Sequence, residues 1–148
     1  NIHEVIEDAI EHLKLIVESK KGSIKLSLKA ENSNINGNSN HLENIIINIL
    51  DNAVKYSKDN PQIIISSTNS NKDIILCFED NGIGMDKNTQ KLIFEKFYRE
   101  QNGNIHNIKG HGLGLSYVKK IVDSHNGKIS LESKKGVGTK FYLTLKNI

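Results

Sequence analysis

The chain has 148 residues, 36% hydrophobic and 25% charged, with no Trp and one Pro. That length and balance suit one soluble globular domain with its own core. Lys plus Arg number 20 against 17 Asp plus Glu, a formal charge of +3, too small an excess to point to nucleic acid or an anionic membrane. Cys77 is the only cysteine, which excludes an internal disulfide and is compatible with a reducing compartment. No apolar run of about 18 residues is present to span a membrane, and no signal-like segment opens the chain.

Residues 2–19 carry Ile2, Val5, Ile6, Ala9, Ile10, Leu13, Ile16 and Val17 at spacings of three and four, the stripe of an amphipathic helix that Gly22 ends. Ile24, Leu26 and Leu28 alternate with Lys25, Ser27 and Lys29, as in a half-buried strand. The Asn-rich residues 31–40 read as loop with a short strand near Ile35, and Ser39 is placed to cap a helix over roughly 39–57. Strands over roughly 61–69 and 72–79 meet at a turn around Ser70-Asn71. Cys77, inside the apolar run Ile74 to Phe78, reads as a small core residue.

Asp80-Asn81-Gly82 breaks that strand. A short helix follows over about 86–94, and residues 98–110, nearly devoid of apolar side chains, read as a mobile loop. Gly112 to about His125 is a helix with Leu113, Leu115, Val118, Ile121 and Val122 as its buried stripe and His125 as a capping residue. After a turn at Asn126-Gly127, strands near 128–133 and 139–146 are joined by Lys134-Lys135-Gly136-Val137-Gly138. The order α-β-α-β-β-α-α-β-β, without repeat or domain linker, predicts two layers: helices on one face of a mixed sheet.

Four segments carry chemistry. Asn44, Asn48, Asn52 and Tyr56 recur every fourth residue along an otherwise apolar helix, with Lys55 beside them. Asn is a poor interior helix residue. A stripe of amides makes sense where it ligates a hydrated hard cation such as Mg²⁺, which prefers oxygen ligands and is shared with substrate phosphates. A solvated helix face in an Asn-rich chain gives the same stripe. Asp80-Asn81-Gly82-Ile83-Gly84-Met85 follows a strand, where glycines admit close backbone approach and an aspartate can accept from an exocyclic amine; a plain Asp-Asn-Gly turn is the other reading. Gly110-His111-Gly112-Leu113-Gly114-Leu115 runs into a helix, and free N–H groups there form an anion site. It matches neither the P-loop pattern nor the dinucleotide fingerprint. Phe94 and Phe97 are placed to anchor the base of the polar loop, and Arg99 to reach a terminal phosphate, though both fit an ordinary basic helix end too.

In this order the segments resemble the catalytic domain of the bacterial sensor histidine kinases, within the gyrase, Hsp90, histidine kinase and MutL superfamily. Asn48-Ile49-Leu50-Asp51-Asn52-Ala53-Val54-Lys55-Tyr56-Ser57 is similar to the N box and Asp80-Asn81-Gly82-Ile83-Gly84-Met85 to the G1 box. Ile93-Phe94-Glu95-Lys96-Phe97-Tyr98-Arg99 is similar to the F box, Gly110 to Ser116 to the G2 box, and Gly136-Val137-Gly138-Thr139 to the closing glycine motif. The resemblance implies the Bergerat ATP-binding fold, an α/β (α+β) two-layer sandwich with a mixed sheet of about five strands on about three main helices and a mobile ATP lid over about 98–110.

It further implies that ATP and Mg²⁺ are the ligands. Asn48 and Asn52 would hold the metal, Lys55 and Arg99 would contact phosphates, Tyr56 would lie on the adenine and Asp80 would read its amino group. Backbone from Gly110 through His111, Gly112, Leu113 and Gly114 to Leu115 would wrap the triphosphate, with Gly82, Gly84, Phe97 and Thr139 completing the nucleotide set. Asn48, Lys55 and Arg99 would be the catalytic residues. ATPases of this superfamily place a glutamate base where Asn48 stands, and an amide cannot take a proton at neutral pH. The resemblance therefore implies transfer of the γ-phosphoryl group to a histidine rather than hydrolysis. A non-catalytic nucleotide-sensing module and an anti-sigma-type serine kinase remain the alternatives.

The acceptor histidine belongs to a dimerisation domain expected outside residues 1–148: His3-Glu4 begins like its motif, but the only proline is Pro61. The remaining expectations are a response regulator as an indirect partner, no nucleic acid or direct membrane contact, a monomeric fragment, and a cytoplasmic place within a membrane-bound sensor kinase.

Overall fold

The structure, a computed structural model, describes residues 1–96, Tyr98 and residues 114–148. Helix α1 (Ile2–Ser19) starts where Asn1 Oδ1 accepts the His3 N–H, and it buries Ile2, Ile6, Ala9, Leu13 and Val17 along one stripe. Strand β1 (Ser23–Leu28) leads to α2 (Ser39–Lys55), then to β2 (Gln62–Ser70) and β3 (Asp73–Asp80). Helix α3 (Lys87–Leu92) is short, and α4 (Gly114–Ser124) precedes β4 (Lys128–Lys134) and β5 (Gly138–Lys146).

The five strands form one mixed sheet in the order β1-β2-β3-β5-β4, with β1 parallel to β2 and the other pairs antiparallel. Alternation decides which face meets the helices. Ile63 and Ile65 of β2, Ile74, Leu76 and Phe78 of β3, Phe141, Leu143 and Leu145 of β5 and Ile129 of β4 are all buried on one side. Helix α2 packs between α1 and α4. It buries Leu42, Ile45, Ile46, Ile49, Leu50, Ala53 and Val54, each large one contributing roughly 1.5–3 kcal/mol of transfer free energy. So many apolar contacts fix the helix about its axis. The stripe Asn44, Asn48, Asn52 is thereby confined to the face the core leaves over.

The α-β-α-β-β-α-α-β-β order and the two layers agree with the sequence reading. Several local expectations do not. The N-cap of α2 is Asn38, whose Oδ1 accepts from the His41 N–H at 3.1 Å, so Ser39 is already the first helical residue. The helix stops at Lys55, with Tyr56 as its C-cap. Cys77 is not in the core: Leu76 and Phe78 take the inner face, which turns Cys77 onto the helix-free face, where burial and Glu79 push its thiol pKa up. Leu26 is 44% exposed because β1 is an edge strand. Near Ile35 there is only an isolated bridge to Asn147. His125 caps as expected, its Nδ1 lying 2.8 Å from Ile121 O. The expected mobile loop, apart from Tyr98, and the start of the Gly112 helix with Leu113 lie outside the described residues.

One contact ties α1 to the sheet. Ser67 Oγ, on a buried residue, accepts the Ala30 N–H at 3.2 Å and lies 2.9 Å from His3 Nε2. That contact is one hydrogen bond, whose donor is set by the tautomer of the His3 ring. Burial lowers the His3 pKa, with Glu7 in opposition. A folded value below the ordinary one of about 6.5 means that the unfolded chain binds the extra proton. The stability this supplies is complete above about pH 6.5 and is lost as pH falls below it. His3→Gln, which keeps a polar partner for Ser67 and removes the titration, should flatten the loss in urea midpoint between about pH 7 and pH 5.

Candidate functional site

The exposed face of α2 supplies the first wall. Asn48 donates one of its two Nδ2 protons to Asn44 O at 2.7 Å, which leaves Oδ1 as an acceptor. That oxygen faces the first described residue of α4: a Cβ on Gly114 would come within 2.7 Å of Asn48 Oδ1. The first described turn of α4 is thus held against an amide oxygen. Asn52 lies one turn further along and is half-buried. Lys55 pairs with Asp51 at 2.6 Å, its side chain 34% exposed.

The loop after β3 supplies the second wall and is bonded to the first. Ile83 N–H donates to Tyr56 O at 2.9 Å. A Cβ on Gly82 would come within 2.7 Å of Tyr56 O and 2.8 Å of Asp80 Oδ1, so only glycine lets the loop pass between them. Asp80 ends β3, flanked by Ile63 of β2 and Thr139 of β5. Its carboxyl accepts the Gly82 N–H at 2.8 Å and lies beside the backbone N–H of Thr139. Burial pushes its pKa up; the two N–H groups oppose the rise and Glu79 adds to it. The result is a partly buried acceptor locked by backbone at a strand end.

Gly84 has φ +64°, and the space where its Cβ would go is filled by Lys134 O. Together with Gly136 N–H donating to Ile83 O at 2.6 Å, this clamps the loop onto the β4–β5 turn. What Gly84 touches is therefore protein. Leu115 is buried in α4, so only its backbone can serve a ligand. Phe94 packs edge-on against Phe141 with ring centroids 6.4 Å apart, as its anchoring role requires. Phe97, Arg99, Gly110, His111, Gly112 and Leu113 lie outside the described residues.

Three contributors escaped the sequence reading. Asp86 caps α3, its Oδ1 accepting the Thr89 N–H at 2.8 Å; an acidic residue ahead of a short helix was the signal. Ser133 faces inward beside Thr139 in β5, a position the alternation Ile129, Leu131, Ser133 indicates. Gln90 reaches from α3 to Met85 O at 2.9 Å and Ser133 O at 3.1 Å, which nothing in its sequence context announces. A cavity of about 360 Å³ touches Asp80, Ser133 and Thr139 but is otherwise lined from the helix-free face, by Ile64, Glu79 and Lys140 among others. It is therefore distinct from the space between α2 and the start of α4.

Residues 37–147 match the family described as histidine kinase-, DNA gyrase B- and HSP90-like ATPase. This chain belongs to that ATPase family. It is 42% identical over 145 residues to the sensor protein RprX of Bacteroides fragilis, covering 97% of this chain and 28% of RprX. It is 35% identical to the signal transduction histidine-protein kinase ArlS of Staphylococcus haemolyticus, covering 99% of this chain and 32% of ArlS. The chain thus spans about a third or less of the curated relatives it matches. The catalytic domain of histidine kinase ThkA superposes with a TM-score of 0.85 at 22% identity, over 99% of this chain and 94% of that one. The mixed five-stranded sheet under helices is the fold of histidine kinase catalytic domains, the Bergerat-type α/β architecture. The family match also makes this a nucleotide-binding ATPase-type domain.

The Gly114 contact generates a test. In Gly114→Ala the new methyl displaces the Asn48 amide, while alanine suits a helix better than glycine by up to about 1 kcal/mol. Nucleotide affinity in the presence of Mg²⁺ should fall several-fold by calorimetry with the melting temperature unchanged or raised. A fall in both together would show that Asn48 and Gly114 meet for packing alone.

Proposed function

We propose that this chain binds Mg-ATP and transfers its γ-phosphoryl group to a histidine on a separate helical dimerisation domain, as the catalytic part of a two-component sensor kinase. The observation that supports the reading is a set of close approaches between the segments that carry chemistry: Asn48 to Gly114, Tyr56 to Gly82, and Asp80 to Thr139.

In this reading Asp80 accepts from the adenine amino group and Tyr56 lies along the base. The N-terminal turn of α4 and the residues before it receive the phosphates. Asn48 and Asn52 supply neutral oxygen donors one turn apart, a donor set that suits a hard cation that keeps several waters. A Mg²⁺ ion held by those oxygens would supply charge neutralisation to the phosphates. Lys55 leaves or shares Asp51 to add a positive charge, and Arg99 adds a planar one. Catalysis is then positioning plus charge stabilisation.

Asn48 decides between transfer and hydrolysis. Its amide has no basic site, and one of its two Nδ2 protons is donated to Asn44 O. The side chain can hold an ion but cannot deprotonate a water. The acceptor domain, a response regulator downstream and a place in the cytoplasmic part of a membrane-bound sensor complete the proposal; no described helix is long and apolar enough to cross a membrane.

With radioactively labelled ATP and Mg²⁺, the chain alone should take up no acid-labile phosphate. Addition of a dimeric helical domain bearing the acceptor histidine should place label on that histidine, and Asp80→Asn should cut the rate by roughly tenfold or more, the value of a hydrogen bond to a charged acceptor. Acid-labile label on the chain alone, or phosphoserine on the partner, contradicts the reading.

A further inference from the structure

The row Asp80, Thr139, Ser133 runs across β3, β5 and β4, each residue in register with the next. Ser133 Oγ receives the Met85 N–H at 2.8 Å, donates to Gly138 O at 3.0 Å and lies 2.8 Å from Thr139 Oγ1. A hydroxyl has one proton and two lone pairs. The Gly138 carbonyl can only accept, so the Ser133 proton goes there. The proton between the two hydroxyls is then that of Thr139, and Ser133 is complete, with two bonds accepted and one donated. Gln90 holds Ser133 in place through its carbonyl, at 3.1 Å, while gripping Met85 O at 2.9 Å.

We propose that Ser133 is a specificity-determining positioning residue: by taking the Thr139 proton, it leaves Thr139 only lone pairs to present beside the Asp80 carboxylate. Asp80 and Thr139 then both offer acceptors, which selects a purine whose 6-position donates, as an amine does, and repels one with a 6-oxo group. The inference rests on the reading that Asp80 faces the base. Ser133 touches no ligand; it acts through Thr139.

A residue that merely supported the fold would weaken all nucleotides alike, so the readout is a ratio. The dissociation constants of ATP and ITP are measured by calorimetry on the whole chain with Mg²⁺. The unsubstituted chain should prefer ATP. In Ser133→Ala the freed Thr139 hydroxyl can turn and donate to the 6-oxo group, and the ATP-over-ITP preference should shrink about fivefold, the worth of one hydrogen bond. Ser133→Thr, which keeps the hydroxyl, should restore it. Thr139→Val, which leaves Ser133 intact, should shrink the preference similarly and serves if Ser133→Ala does not fold.

An unchanged ratio in Ser133→Ala and Thr139→Val, even with both nucleotides bound more weakly, overturns the inference and leaves the ATP site standing. Failure of the unsubstituted chain to bind ATP overturns the reading of the site and the inference together.

Discussion

The proposed site depends on one close approach: the C-terminal end of α2 against the loop that leaves β3. A single backbone hydrogen bond, Ile83 N–H to Tyr56 O at 2.9 Å, joins them, and Gly82 has no Cβ to keep them apart. Everything placed on either element inherits its position from that contact. Asn48 and Asn52 are carried by a helix whose apolar residues fix its rotation. Asp80 is carried by a central strand with neighbours on both sides. Neither group of polar side chains packs the core, yet the core decides where each stands. This is economical in entropy, because backbone and buried apolar contacts do the ordering and the polar residues arrive already oriented.

The fold was legible wherever a period ran through several turns. The three- and four-residue spacing of α1, the apolar run of α2 and the alternation in β5 fixed type and place, since burial of a face imposes its own period on the chain. Ends were less legible. Asn38 and Ser39 are both good caps, and only the geometry of the first turn selects Asn38. Cys77 and Leu26 show why face and burial are separate questions: alternation can be read either way in a run as apolar as Ile74 to Phe78, and an edge strand can leave an inward residue open.

At the site, residues on one element were readable and bonds between distant elements were not. The amide stripe, Asp80 and the glycines announce themselves by type and spacing. That Gly114 meets Asn48, that Gly84 is filled by Lys134 O, and that Gln90 bridges Met85 to Ser133 are facts of tertiary contact without local signature. Lys55 illustrates the point: sequence offers it to a phosphate, and the folded chain pairs it with Asp51. A nucleotide would have to compete for it, and the worth of such a half-exposed pair is small.

The central claim is that the amide face of α2, the start of α4 and the loop after β3 surround one metal–nucleotide complex. Replacing Mg²⁺ with paramagnetic Mn²⁺ in the presence of ATP, and recording relaxation of every amide signal by NMR, tests it directly. The account predicts the strongest broadening at the side-chain amides of Asn48 and Asn52 and at the Gly114 N–H, weaker broadening at Gly82 and Thr139, and little at these groups when ATP is omitted. Broadening centred elsewhere, or the same pattern without nucleotide, would contradict it.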